Sequence, residues 1–114
     1  MRVLICGGRS YNDWERFISA MDEVYRTNTI DLVIHGAATG TDSMADRWAG
    51  YARINQMAFP ADWKKFSRSA GPKRNQQMLD EGKPDLVVKF PGGKGTEDCV
   101  RRAKLAGIAV KVVE

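Results

Sequence analysis

The sequence predicts one α/β domain in which helices cover both faces of a five-stranded parallel sheet. Short apolar runs alternate along the chain with segments of helical periodicity. These runs lack the apolar–polar alternation of half-exposed strands, which is typical of parallel strands buried on both faces. Glycine-rich turns directly follow three of the runs. The 114 residues suit a single domain, residues 1–114, with a three-layer architecture.

Five strands are predicted from runs that are short, apolar and bounded by turn residues. They cover residues 2–6, 30–35, 56–59, 85–90 and 108–113. The strand–helix alternation favours a Rossmann-like strand order, 3-2-1-4-5. In this order the first and fourth strands are neighbours at the point where the sheet changes winding direction.

The first two helices are predicted from one apolar stripe each, which we expect to pack on the sheet. The first begins near Asn12, a predicted N-cap with Glu15 at the third helical position. Its stripe consists of Trp14, Phe17, Ile18, Met21 and Tyr25. The second follows the small-residue turn at residues 36–42. Its stripe consists of Met44, Ala45, Trp48, Ala49 and Ala52.

Two further helices are predicted in the second half of the chain. Residues 73–81 form the third, with Pro72 at its start and Gly82 as its end. Residues 96–106 form the fourth. Residues 61–72 are predicted to be the longest irregular stretch. It is basic and carries two aromatic side chains, and long loops in compact domains are often functional.

Composition and charge narrow the possible functions. With 43% hydrophobic and 28% charged residues, the chain resembles an ordinary globular protein. No apolar run approaches the roughly 18 residues of a membrane span, and the N-terminus does not resemble a signal peptide, so we expect no membrane partner. Two cysteines form neither a disulfide framework nor a zinc site, so we expect a cytoplasmic protein without a metal. The net charge of +4 favours anionic partners.

The turn at residues 90–96, Phe-Pro-Gly-Gly-Lys-Gly-Thr, carries the clearest functional signal. Glycines let the backbone approach a ligand closely, and the helix that follows offers free N–H groups and the positive end of its dipole. The predicted phosphate seat consists of Gly92, Gly93, Lys94, Gly95 and Thr96. The alternative is that these glycines only shape the turn, while Thr96 caps a helix with Glu97 and Asp98 in its first turn.

Two other turns are predicted on the same rim, because the carboxyl ends of parallel strands share one edge of the sheet. Their glycines are Gly7, Gly8, Gly36 and Gly40. Ligands of such sheets bind beyond the carboxyl ends at the switch point. The three turns together therefore predict a site for a nucleotide-like ligand with a ribose and at least one phosphate.

Side chains near this rim are candidates for polar contacts with the ligand. They are Arg9, Asp42, Arg74, Asn75 and Lys94. Arg9 and Lys94 either bind phosphate or face solvent. Arg74 is predicted in the first turn of a helix, where the dipole disfavours a cation, and a broken local rule of this kind indicates a site. Asp42 either caps the second helix or accepts from ribose hydroxyls.

The remaining candidates have structural alternatives. His35 ends a strand and is predicted to be a hydrogen-bonded structural histidine. Trp63 and Tyr11 lie on loops, where they either stack on a base or anchor the loop. Glu97 and Asp98 are predicted dipole partners. The candidates for a catalytic role are Asp98 as a general base, Asp42 and Arg74.

Five segments together resemble the YspA-type branch of the SLOG superfamily. They are residues 7–11, 35–42, 59–63, 71–75 and 90–96. The superfamily includes the LOG phosphoribohydrolases and the Rossmann-like domain of the DprA DNA-processing proteins. The resemblance covers almost the whole chain. It implies a Rossmann-like fold and a nucleotide, NAD derivative or ADP-ribose derivative as ligand, with no cofactor required.

One position departs from the pattern of the LOG enzymes, which carry Pro-Gly-Gly-x-Gly-Thr-x-x-Glu. In those enzymes the Glu and an upstream Arg serve catalysis. Residues 91–96 match the motif, but Cys99 stands where the Glu would be, and Arg74 is the candidate for the upstream Arg. A thiol replaces a carboxylate poorly beside a ribose. The departure therefore argues against LOG-type hydrolysis and leaves the backbone phosphate seat intact.

These observations leave three functions open. The leading one is binding of a nucleotide-like small molecule. The second is hydrolysis of the N-glycosidic bond of a nucleoside monophosphate or NAD-derived ligand. The third, less favoured, is a DprA-like module for single-stranded nucleic acid. It would use basic residues near Trp63 and Phe66, namely Lys64, Lys65, Arg68, Lys73 and Arg74.

A homodimer is also expected. The helix faces that contain Trp14, Met44 and Trp48 offer more apolar surface than one sheet of this size needs. The resemblance points the same way, since the LOG enzymes are dimers.

Overall fold

Five parallel strands form one sheet in the computed structural model, which describes residues 1–114. The strands are β1 (Arg2–Cys6), β2 (Leu32–His35), β3 (Asn55–Ala58), β4 (Leu86–Lys89) and β5 (Ala109–Val112). Their order is β3-β2-β1-β4-β5, which confirms the predicted order. Leu4 in the central strand pairs with Ile34 on one side and with Val87 on the other. Each predicted strand end lies within two residues of the observed one.

Helices lie between all consecutive strands. They are α1 (Trp14–Thr27), α2 (Thr41–Ala52), α3 (Trp63–Phe66), α4 (Ala70–Gln77) and α5 (Lys94–Leu105). A 3-10 turn, Ser67–Ser69, joins α3 to α4, and a π-helical turn, Met78–Gly82, extends α4. No helix has the length and apolar character needed to cross a membrane.

The two faces of the sheet build separate cores, because alternate residues of a strand point to opposite sides. One core combines alternate β1 residues with α1 and α2, and includes Val3, Ile5, Phe17, Ala45 and Trp48. The other combines the intervening β1 residues with the π-helical turn that extends α4 and with α5, and includes Leu4, Cys6, Met78, Leu79, Cys99 and Ala103. This is the predicted three-layer, Rossmann-like arrangement.

Two predicted N-caps are wrong. Asp13, not Asn12, caps α1, and its carboxylate accepts from the Arg16 N–H at 3.0 Å, as an N-cap side chain does. Helix α5 begins at Lys94, two residues before the predicted start, with Gly93 in the N-cap position. Thr96 therefore lies inside the first turn, where its side chain is buried.

The stretch at residues 61–72, predicted to be irregular, is largely helical. Asp62 starts α3 by accepting from the Lys65 N–H at 3.1 Å. Helix α4 begins at Ala70, three residues before the predicted start. Pro72 is tolerated inside this helix because it falls in the first turn, where N–H groups have no intrahelical acceptor to lose.

The end of this helical stretch is also one residue later than predicted. Lys83, not Gly82, adopts the left-handed conformation that ends it, with φ of 50°. Gly82 is needed for packing instead, since a Cβ there would lie 2.9 Å from Cδ1 of Ile34.

Candidate functional site

A cleft of about 550 Å³ opens beyond the carboxyl ends of β1 and β4. These strands are adjacent, and the helices that follow them, α1 and α5, cover opposite faces of the sheet. The cleft therefore lies at the switch point of the fold, where open α/β sheets bind ligands. Ten of the thirteen predicted ligand-binding residues line it. The exceptions are three glycines, Gly36, Gly40 and Gly92.

The first turn of α5 forms one wall of the cleft. The N–H groups of Lys94, Gly95 and Thr96 donate to no acceptor in the protein. A Cβ on Gly93 or Gly95 would meet no atom within 4 Å, so both glycines border open space on the cleft side of this turn. Free N–H groups, the helix dipole and open space are what an anion requires.

The turns at the cleft are held together by backbone hydrogen bonds. The Gly8 N–H donates to the Pro91 carbonyl at 2.8 Å, which joins the turn after β1 to the turn after β4. The Gly8 carbonyl accepts from both the N–H and the hydroxyl of Thr41, each at 3.1 Å. These contacts fix the turns after β1, β2 and β4 relative to one another.

Most of the predicted glycines serve these close approaches rather than the ligand. They are Gly7, Gly8, Gly36, Gly40 and Gly92, and a Cβ on any of them would come within 3.0 Å of another residue. Gly40 has the strictest requirement, because its φ is 68° and a Cβ would overlap the carbonyl oxygens of Gly8 and Arg9. Only Gly93 and Gly95 of the predicted set leave space that a ligand would use.

Arg74 reaches across the cleft from α4 to the turn after β2. Its Nη1 donates to the Gly36 carbonyl at 2.6 Å, and its Nε donates to Oδ1 of Asn75 at 3.1 Å. Its Nη2 has no partner in the protein, so the side chain retains N–H donors for a ligand. Burial lowers the pKa of Arg74 and nearby Asp42 opposes this, but an arginine remains protonated at neutral pH.

The reasoning that singled out Arg74 from the sequence is wrong, although the residue does line the cleft. Arg74 is the fifth residue of α4 and lies in its last turn, because the helix starts at Ala70. The helix dipole therefore does not disfavour its charge.

Asn75 is buried and fully engaged within the protein. Its Nδ2 donates to the Gly95 carbonyl at 3.1 Å and to Oδ2 of Asp98 at 3.0 Å, while its Oδ1 accepts from Arg74. Predicted as a ligand contact, it lines the cleft and also connects α4 to the first turns of α5. Asn75 therefore helps to set the orientation of the predicted phosphate seat.

Asp98 has its acceptor positions occupied by neighbours. Arg101 donates to one oxygen at 2.6 Å, and Arg102 and Asn75 donate to the other at 2.9 and 3.0 Å. Burial alone would raise the pKa of Asp98, but the hydrogen bonds from Asn75 and Arg102 and the charge of Arg102 hold it below its ordinary value. This environment suits a structural carboxylate better than a general base, which must take up a proton.

Asp42 does not cap α2 as predicted. It is the second residue of that helix and reaches back to accept from the Ala38 N–H at 3.2 Å. It is 9% exposed, and burial raises its pKa above the ordinary value, an effect only partly offset by the Ala38 hydrogen bond and by Arg74. Its second oxygen, Oδ1, accepts no side-chain or backbone hydrogen bond of 3.5 Å or less, so Asp42 retains an acceptor for a ligand.

His35 has the structural environment expected from its position. Its Nδ1 accepts from the Ala37 N–H at 3.0 Å, which places the ring proton on Nε2, 3.0 Å from Oε1 of Gln56. The ring is buried and lies outside the cleft. Glu97 is exposed and also lies outside it.

The two loop aromatics differ in their surroundings. Tyr11 packs on Phe90, with ring centroids 5.7 Å apart, and lies outside the cleft, so it anchors its loop. Trp63 lines the cleft and is 46% exposed. The guanidinium of Arg9 lies 4.9 Å above its ring centroid.

Cys6 and Cys99 are buried residues that line the cleft. A hydrogen bond with Cys99, together with burial, raises the pKa of Cys6 well above its ordinary value. Cys6 is therefore an uncharged thiol at neutral pH. No carboxylate occupies position 99, where the resemblance to LOG enzymes implies catalysis.

Arg68, Gly71, Pro72 and Met78 also line the cleft, and the sequence did not single them out as ligand contacts. Arg68, Gly71 and Pro72 belong to the stretch that was predicted to be irregular, whereas Met78 lies in the predicted third helix. The sequence feature that could have indicated these cleft residues is the basic and aromatic composition of residues 61–72.

Two sequence comparisons relate this chain to known proteins. A sequence model described as "YspA, cpYpsA-related SLOG family" matches residues 1–66, which extend from β1 to α3. The chain is also 38% identical over 117 residues to the "Gene 61 protein" of Mycobacterium phage D29. That similarity covers 96% of this chain and 93% of the phage protein. No solved structure matches. The chain belongs to the YspA, cpYpsA-related SLOG family.

Proposed function

We propose that this protein binds a nucleotide-like ligand in the cleft, with a phosphate on the first turn of α5. The free N–H groups of Lys94, Gly95 and Thr96 carry this proposal, because these residues line the cleft beside the open space at Gly93 and Gly95. Family membership supports a nucleotide-related role. Lys94 adds a cation at the same turn, and backbone donors suit phosphate whatever the rest of the ligand is.

The other polar groups of the cleft fit a ribose. Asp42 keeps an oxygen free to accept from a hydroxyl, and Arg74 keeps Nη2 free to donate. The exposed indole of Trp63 at the same cleft offers a surface on which a base would stack. Nucleoside phosphates, ADP-ribose and NAD derivatives all combine these chemical groups.

The cleft favours binding over hydrolysis. Asp98 is saturated by donors, and position 99 is a thiol, which leaves Asp42 as the remaining carboxylate of the cleft. Asp42 with Arg74 is therefore the pair that an N-glycosidic hydrolase would have to use. Release of a free base during incubation with AMP or ADP-ribose would identify the protein as such an enzyme.

The decisive experiment is isothermal titration of AMP, ADP-ribose and NAD into the parent and a Gly93→Val variant. The side chain of valine would occupy the open space beside the free N–H groups, so we expect at least a tenfold loss of affinity for any ligand that binds. Equal binding by Gly93→Val would place the phosphate elsewhere and overturn the proposal.

Gly50→Val is a matched control. A Cβ added at Gly50, like one added at Gly93, would meet no atom within 4 Å, and neither glycine has a positive φ. Gly50 differs in lying on α2, away from the cleft, so we expect unchanged affinity. Thermal unfolding of both variants checks that neither loses its fold. Binding of single-stranded DNA with a steep salt dependence would instead favour the nucleic-acid alternative.

A further inference from the structure

The cleft carries more positive charge than one phosphate on α5 requires. Its basic side chains are Arg9, Arg68, Arg74 and Lys94, and its acidic ones are Asp42 and Asp98. Asp98 is already paired with Arg101 and Arg102, from outside the cleft lining. None of the four basic residues takes part in an ion pair.

Two of these cations are held near each other. Burial is the main cause of the lowered pKa of Arg74, the charge of Asp42 opposes it, and the charge of Arg9 lowers the pKa of Arg74 further. Like charges in a partly buried cleft raise the free energy of the folded state, and an anion bound between them would remove that repulsion.

Arg9 is also oriented by its surroundings. It stacks on the ring of Trp63, and Trp63 lies against Gly71, where a Cβ would be 3.3 Å from Cη2 of the indole. A guanidinium on an aromatic face keeps its N–H donors free at its edges and loses little freedom when it binds. Arg68, on the turn that follows α3, lines the same cleft without a partner of its own.

We propose that Arg9 and Arg68 form a second anion subsite, so that the ligand carries two linked phosphates, as in a nucleoside diphosphate or its esters. The inference rests on the proposed function, which places the first phosphate on α5. Arginine suits this role because its planar fork binds two phosphate oxygens at once.

The test compares inorganic pyrophosphate with inorganic phosphate by isothermal titration, which makes the result independent of the base. We expect the parent to bind pyrophosphate at least tenfold more tightly than phosphate. In Arg68→Ala, the affinity for pyrophosphate should fall about tenfold or more, while that for phosphate should change by less than twofold.

Lys64→Ala controls for general charge effects, because pyrophosphate is the more highly charged ion. Lys64 is an exposed cation of α3 outside the cleft lining, and its loss should change both affinities by less than twofold. Equal affinities of the parent for both ions would overturn the inference, as would an equal loss of pyrophosphate affinity in both variants.

The two proposals fail in different ways. If phosphate binds and Gly93→Val weakens it, but pyrophosphate gains nothing, the α5 site stands and the second subsite is wrong. If neither ion binds the parent, the second subsite is wrong, and the titration of nucleotides into the parent and Gly93→Val decides the α5 site.

Discussion

The buried carboxylate of Asp42 destabilises the folded protein, but it lies in the cleft where a ligand could contact it. Its carboxylate is buried at the start of α2, and the Ala38 N–H and the nearby Arg74 only partly offset the loss of solvation. A charged group kept in an unfavourable environment inside a cleft is a recognised sign of a functional site. Replacing Asp42 should therefore have opposite effects on the free energy of unfolding and on ligand affinity.

We predict that Asp42→Asn makes the protein more stable at pH 7 and weakens nucleotide binding. Asparagine keeps an acceptor for the Ala38 N–H and removes the buried charge. Because the pKa of Asp42 is raised in the folded state, the parent gains stability as the pH falls through that pKa. The advantage of Asp42→Asn should therefore shrink between pH 7 and pH 4 in denaturant unfolding.

Asp46→Asn is the matched control for this prediction. Asp46 is an exposed residue of the same helix, so its replacement should leave both stability and binding nearly unchanged. A less stable Asp42→Asn at pH 7 would mean that the charged hydrogen bond to Ala38 outweighs desolvation.

Single residues of the cleft were predictable only where their chemistry is independent of their neighbours. Gly93 and Gly95 lie between a predicted strand and a predicted helix, a position that favours an anion seat over a turn shaped by glycine alone. Asn75 and Asp98 could not be assigned, since their roles depend on partners twenty or more residues away. Arg68 was missed as a ligand contact because its direction depends on how α3 and α4 fold.

At the scale of elements, the site depends on how α4 is joined to α5. The side chain of Asn75 donates hydrogen bonds to both the Gly95 carbonyl and Asp98 of α5. The neighbouring Arg74 donates to the Gly36 carbonyl in the turn after β2. The first turn of α5 therefore takes its position partly from α4. A change at Asn75 should therefore affect anion binding through the position of α5.

We predict that Asn75→Asp lowers both stability and phosphate affinity at pH 7. The new carboxylate would face the Gly95 carbonyl and Asp98, where the parent has a donor, and losing such buried hydrogen bonds costs about 1–3 kcal/mol. This unfavourable environment raises the pKa of the introduced group. The deficit relative to the parent should therefore shrink as the pH falls from 7 toward 4.

Asn75→Ala distinguishes this effect from a simple loss of packing. It removes the same donor without adding a charge, so its deficit should remain nearly constant with pH. Unfolding and phosphate titration at several pH values measure both variants against the parent. A parallel pH dependence of the two variants would contradict the prediction.

The elements themselves were predictable where the hydrophobic pattern is strong. Strands such as β1 and β4 are buried on both faces, so their apolar runs stand out, and topology rules then supply the strand order. Residues 61–82 lack this pattern. There the structure depends on the Asp62 cap, on Pro72 in a first turn and on Lys83 in a left-handed conformation, which composition does not reveal.

At the scale of the whole molecule, the predicted homodimer concerns the outer faces of α1 and α2. Trp48, expected to contribute to it, is only 4% exposed and its Nε1 donates to Asp22 at 3.1 Å. The exposed aromatic side chains of this surface are instead those of Tyr51 and Tyr25, which are 70% and 41% exposed. Arg47 lies over the rings of Trp14 and Tyr51, at 4.4 and 5.7 Å. This surface is smaller than the sequence suggested.

We predict a homodimer that uses this face, and a Tyr51→Glu variant that is monomeric. A stable interface needs about 800 Å² from each partner, so a charge at its exposed aromatic centre should disrupt it. Leu105→Glu is the control, because Leu105 is 78% exposed on α5, and α5 covers the opposite face of the sheet. Light scattering at tens of micromolar should give a dimeric mass for the parent and Leu105→Glu only. A monomeric parent would contradict the prediction, and a dimeric Tyr51→Glu would place the interface on another surface.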